Sequence, residues 1–171
     1  SGPDGTLTRL AVPPVRRAQE LLGDAAVCVD MSLPGATVAD ALAGAPMMPF
    51  SAFAQHVSAT AASTLVIRYG GADALRGTPL PDFERDLGAM VTQAQAAGKT
   101  VLLVGVITLP GGATDDYDLA VERAADAHGA GFVDVRVVPG GPGDTADGTH
   151  PAQAWSDRIT AAIVQNLQTH F

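Results

Sequence analysis

The chain has 171 residues, 47% of them hydrophobic. That suits one domain, residues 1–171, able to bury roughly 70% of its unfolded surface without a metal or disulfide. A net charge of −8 and a pI near 4.7 argue against nucleic acid or an anionic membrane as partner, because phosphates reward clustered Lys and Arg, and no such cluster occurs. Cys28 is the only cysteine, which rules out a disulfide within the chain. No apolar run approaches the roughly 20 residues of a membrane-spanning helix. The chain begins Ser-Gly-Pro rather than with Met. We therefore expect residues 1–5 to be a flexible terminus or expression scar, and any export leader to be missing from this sequence.

Strand-like and helix-like segments alternate along the chain. Thr6 to Val12 suggests a first short strand, and Pro13-Pro14 then opens a helix with Val15, Ala18 and Leu22 at helical spacing before Gly23. Ala26 to Val29 reads as a short buried strand, with Cys28 as a small core hydrophobe. After Leu33-Pro34-Gly35, Thr37 can cap a brief helix through Val38 to Leu42. Gly44 to Pro49 reads as a loop, where Met47-Met48 either packs on the core or lines a pocket mouth, and a short helix follows near Ser51 to Ser58.

Thr64 to Tyr69, rich in β-branched and aromatic residues, reads as a central strand ending in a Gly70-Gly71 loop. Asp82 to Ala97 carries Phe83, Leu87, Met90, Val91 and Ala94 on one helical face, closed by Gly98. Val101 to Leu109 has the nearly continuous apolar run of a strand buried on both sides. Asp115 to His128 is the next helix, with Leu119 and Val121 inward, and Asp115, Asp116 and Asp118 at its start suit the helix dipole. Gly131 to Val138 is the last strand. Pro139 to Gly148 forms a long loop, and Pro151 opens a closing helix with Trp155, Ile159, Ala162, Ile163 and Leu167 on its apolar stripe. The pattern predicts a three-layer α/β/α sandwich around a central parallel five-stranded sheet, flavodoxin-like in class.

Chemistry concentrates in Asp147-Gly148-Thr149-His150-Pro151. An acid three residues before an imidazole can orient one ring nitrogen while the other acts as a base, although the same residues also make an ordinary turn into a helix. His56, His128 and His170 are scattered and suggest no metal site, and Gly70-Gly71 and Gly111-Gly112 fit no nucleotide fingerprint. We expect no metal and no cofactor.

Three features stand in a telling order: Leu33-Pro34-Gly35-Ala36-Thr37 after the second predicted strand, Tyr69-Gly70-Gly71-Ala72-Asp73-Ala74-Leu75 after the third, and Asp147 to Pro151 before the last helix. Together they resemble the SGNH (GDSL-type) hydrolases over nearly the whole chain from Pro13 onward. In that family a Ser in a Gly-Asp-Ser loop attacks an ester, a Gly and an Asn stabilise the oxyanion, and an Asp/His pair activates the Ser. The resemblance implies that His150 is the general base, Asp147 its orienter, and Gly35 an oxyanion donor through its backbone. Gly71 and Ala72 fall on the other oxyanion loop, with Ala72 where the family has Asn. No Gly-Asp-Ser occurs. Thr6, in Asp4-Gly5-Thr6-Leu7-Thr8, and Ser32, beside Gly35, are the candidate nucleophiles, while Ser51 and Ser156 suit helix starts.

Three readings follow. The chain is a catalytically impaired or inactive SGNH-like domain serving as a binding or structural module of the cell envelope, since many proteins of this kind are exported and act on acylated carbohydrates or lipids. Alternatively, it is an active esterase or acyltransferase with a relocated Ser or Thr nucleophile. As a third reading, it is an unrelated flavodoxin-like domain that binds a small ligand.

Overall fold

A computed structural model describes residues 10–32, 35–44, 52–108, 112–138, 140, 144–145 and 150–170. They fall into two compact units, one within Ser1–Met31 and Val135–Phe171, the other within Ser32–Thr108 and Gly112–Asp134.

The second unit holds the sheet. Strands β1 (Thr64–Ile67), β2 (Thr100–Val104) and β3 (Gly131–Val133) lie side by side in that order, all parallel. Leu65 pairs with Val101 and Leu103 with Phe132. Helices α2 (Val38–Ala43) and α3 (Phe53–Ala59) precede the sheet, α4 (Gly71–Arg76) and α5 (Leu80–Ala96) link β1 to β2, and α6 (Asp115–His128) links β2 to β3. Parallel neighbours need right-handed crossovers, and two successive crossovers stepping the same way put α5 and α6 on one face, where they pack on each other and on β2. Phe83, Leu87, Met90 and Val91 of α5 are fully buried there with Leu103 and Val121. Each such side chain contributes about 1.5–3 kcal/mol relative to exposure. The Phe83 and Tyr117 rings meet edge to face at 5.2 Å.

Two contacts explain otherwise odd residues. Gly88, in the middle of α5, carries the His128 imidazole, whose Nε2 stands 2.5 Å from where a Cβ would be. Asp118 is 1% exposed, and its Oδ1 accepts the Val106 N–H at 2.7 Å. Asp118 is therefore a buried acceptor in the wall beyond β2.

In the first unit α1 (Pro14–Leu22) packs against α7 (Gln153–His170). The Gln153 side chain bonds both the N–H and the carbonyl of Val12, each at 3.0 Å. Trp155, Ile159 and Val164 form the buried face of α7, while Ala162, Ile163 and Leu167 are half-buried.

Several expectations change. The described residues carry three strands rather than five. Leu10 to Val12 form no strand, and Thr6 to Arg9 lie outside the described residues. Ala26 to Val29 is extended but not a buried strand, with Val27 and Val29 87% and 63% exposed. Its backbone is satisfied by a side chain instead of a ladder: Gln19 accepts from the Cys28 N–H and donates to the Ala26 carbonyl, both at 2.8 Å. Cys28 is half-buried, and burial pushes its thiol pKa up. Leu119 points outward at 42% exposure because the inward stripe of α6 runs through Tyr117, Ala120, Val121, Ala124 and Ala125. The last strand ends at Val133, and the closing helix begins at Gln153, with Pro151 instead bridging antiparallel to Thr145. Residues 45–51, which include Met47, Met48 and Ser51, lie outside the described residues.

Candidate active site

Two loops of the second unit come together around α4, a helix not evident in the sequence pattern. The first carries Gly35 at φ +73° and runs through Ala36 and Thr37 into α2. Thr37 caps that helix reciprocally. Its Oγ1 accepts the Asp40 N–H at 3.1 Å, and the Asp40 carboxylate accepts the Thr37 N–H at 3.0 Å. These bonds, helped by Arg76, hold the Asp40 carboxyl below the ordinary 3.8.

The second loop leaves the carboxyl end of β1 through Tyr69 and the left-handed Gly70, then enters α4 at Gly71, Ala72 and Asp73. Asp73 is 1% exposed. Its carboxylate accepts the N–H of Gly70, as an acid at the third helical position does, and reaches across to the Val38 N–H at 3.3 Å. One carboxylate thus satisfies the first turns of two helices, α4 and α2. Burial nevertheless outweighs these bonds and raises its pKa. Burial, then the charges of Asp73 and Asp40, also raise the pKa of the Tyr69 phenol.

Arg76, at the far end of α4, closes the pair of loops from outside. One guanidinium nitrogen donates to the Gly35 carbonyl and another to Asp40 Oδ2, both at 2.8 Å. A Cβ at Gly35 or at Gly71 would meet nothing within 4 Å among the described residues. The Gly35 loop and α4 are thus joined through the Arg76–Gly35 and Asp73–Val38 bonds. Ala72 contributes only a methyl group there. Ser32 is exposed, upstream of Gly35 on the same loop.

His150 belongs to the first unit. It is exposed, immediately ahead of Pro151. The neck of its loop is pinned by the Thr145–Pro151 bridge, by the Ala152 N–H donating to the Asp144 carbonyl at 2.6 Å, and by Arg158 on Asp144 Oδ2 at 2.6 Å. Trp155 anchors the following helix to the same loop, donating its indole N–H to the Val138 carbonyl at 2.7 Å. Asp147 and Thr6 lie outside the described residues. Among the described residues, no group of three or more His, Cys, Asp or Glu side chains could hold a metal, and no helix is long and apolar enough to cross a membrane.

Asp73 and Arg76, which tie the two loops together, do not stand out in the sequence because α4 is too short to show a helical period. The signal available was Gly70 followed three residues later by Asp73, with Gly77 closing the turn at φ +68°.

A parallel sheet joined by helical crossovers, with Gly-rich loops at the carboxyl ends of its strands, defines an α/β domain of the class that builds its sites on those loops. The chain matches the model of the GDSL-like Lipase/Acylhydrolase family over residues 4–158, and it belongs to that family. Its fold is that of solved SGNH hydrolase structures. TesA superposes with a TM-score of 0.76 at 26% identity, over 91% of this chain and 87% of that one. The esterase EstA from Pseudoalteromonas sp. gives a TM-score of 0.74 at 17% identity, over 91% and 85% of the two chains. The acetylxylan esterase Axe2 from Geobacillus stearothermophilus gives 0.76 at 19% identity, over 90% and 80%. No curated protein matches the chain by sequence.

Proposed function

We propose that this chain is a GDSL-like domain whose ester hydrolysis is impaired or lost, and which serves as a binding module for an acylated carbohydrate or lipid at the cell envelope. The observation that carries this reading is Ala72. It stands at the entry of α4, and the resemblance aligns it with the family's Asn, a side-chain donor to the oxyanion. Losing one oxyanion donor costs about two to three orders of magnitude in rate. In this reading Gly35 still offers its backbone N–H, Gly71 keeps the approach open, and His150 with Asp147 retains the base and its orienter. Gly35 is exposed and Gly71 half-buried, and no described residue lies within 4 Å of either Cβ position, which favours a site that ligands can reach.

A second reading keeps the chemistry. The family match begins at residue 4 and so takes in Asp4-Gly5-Thr6-Leu7-Thr8, which favours Thr6 as the hydroxyl standing in for Ser. Ser32 is the other candidate. A β-branched hydroxyl is stiffer at χ1 than Ser and brings an extra methyl to the attack, so slow turnover would be its mark.

Hydrolysis of p-nitrophenyl acetate by wild type, His150→Ala, Thr6→Ala and Ser32→Ala separates the two readings. Turnover at buffer level in all four is expected. Turnover that disappears with His150 and with one hydroxyl would make the chain a working esterase. Calorimetric titration with acetylated xylo-oligosaccharides and with short-chain acyl glycerols tests the binding role, which fails if neither ligand class gives saturable heat.

A further inference from the structure

We propose that Arg76 is a positioning residue that sets the Gly35–Ala36 peptide, with Asp73 fixing the helix start behind it. This inference rests on reading Gly35 as an oxyanion donor. Gly35 has φ +73° and no side chain with which to hold itself, so the peptide planes on either side turn freely unless something grips them. The grip comes from α4. The Arg76 fork holds the Gly35 carbonyl with one nitrogen and Asp40 with another, both at 2.8 Å, while Asp73 holds the Val38 N–H at 3.3 Å. Asp40 in turn is locked to Thr37 by the reciprocal cap, so Arg76 leans on a fixed carboxylate.

The arrangement is not explained by stability. The Arg76 and Asp40 side chains are 57% and 39% exposed, and ion pairs that wet contribute little to folding. A loop glycine held by an exposed bidentate arginine is instead a device for direction. Orienting the Gly35–Ala36 plane limits where the Gly35 N–H, on the other side of the same Cα, can aim. The cation on the carbonyl also draws electrons from that peptide, which makes its N–H, that of Ala36, a stronger donor. With a methyl at position 72, backbone groups are what this wall has to offer an anion or a polarised carbonyl.

The test uses the full chain with Arg76→Ala and Arg76→Lys. Backbone order parameters at Gly35 and Ala36 are expected to fall from about 0.85, the rigid range, to below about 0.6 in Arg76→Ala. They should recover partly in Arg76→Lys, which keeps the charge but not the fork. The melting temperature should stay within about 2 °C, as expected for an exposed pair. Unchanged order parameters in Arg76→Ala overturn the proposal. The second readout is p-nitrophenyl acetate hydrolysis in a Thr6→Ser/Ala72→Asn chain, where adding Arg76→Ala should lower kcat about tenfold with KM unchanged. A loop that loosens while kcat holds rejects Gly35 as oxyanion donor and leaves the arginine clamp standing.

Discussion

Gly70 lies so close to Val106 that a Cβ built on it would stand 2.5 Å from Val106 Cγ2 and 3.3 Å from Phe83 Cζ, at a φ of +117°. The bend that starts α4 thus depends on the absence of a side chain, for space as well as for conformation. Gly70→Ala combines overpacking with a disfavoured backbone and should cost about 3 kcal/mol. Urea unfolding checks this through a lower midpoint at unchanged m-value. A midpoint equal to that of wild type would mean that the bend relaxes freely.

Asp118 holds the chain just past β2 by accepting the buried Val106 N–H. Asp118→Leu would leave that N–H without its acceptor and should cost about 1–3 kcal/mol. Asp118→Asn, which keeps a carbonyl oxygen in place, should cost less. Equal losses in the two variants would assign the effect to shape rather than to the hydrogen bond.

Acid should act on Asp40 and Asp73 in opposite directions. Asp40 titrates below its ordinary 3.8, chiefly through the Thr37 bonds. Its contribution is present above about that pH and is lost as pH falls through the folded value. The stability gap between wild type and Asp40→Asn should therefore narrow from pH 5 downward, as read by urea midpoints. Asp73 titrates above 3.8 because of burial, so its protonation favours the fold at low pH and that contribution is lost as pH rises through the folded value. A gap for Asp40→Asn that widens on acidification would contradict the capping geometry.

The Trp155 indole ties the start of α7 to Val138 and lies over Gly140, with ring carbons 3.1 Å from where a Cβ would be. Trp155→Phe keeps the apolar body but loses the donor, and should cost about 1 kcal/mol or more. Gly140→Ala should shift the indole fluorescence, because the ring must move. An unchanged emission spectrum would count against that contact.

Legibility varied with how local each cause was. Asp115–His128 and the Thr37 cap could be read from the sequence because their signals, a helical stripe and a capping residue, are contained in the segment itself. The Ala26–Val29 segment could not, since an apolar run does not reveal that Gln19, seven to nine residues upstream, satisfies its backbone. Helix α4 is six residues long, too short to display a period, and Asp73 and Arg76 on it bond to residues of another loop and helix. The Gly35 and Gly70-Gly71-Ala72 loops were legible as a pair through family resemblance. The residues that join them were not, because such bonds span 35 to 41 positions of sequence.

The most direct measurement is hydrolysis of p-nitrophenyl acetate by the Thr6→Ser/Ala72→Asn double variant, with and without His150→Ala. If the site keeps its shape and has lost only its nucleophile and side-chain donor, the double variant should turn over at least about a hundredfold faster than wild type, the worth of one oxyanion donor. The added His150→Ala should abolish that gain. A double variant no faster than wild type, or a gain indifferent to His150, would contradict the account.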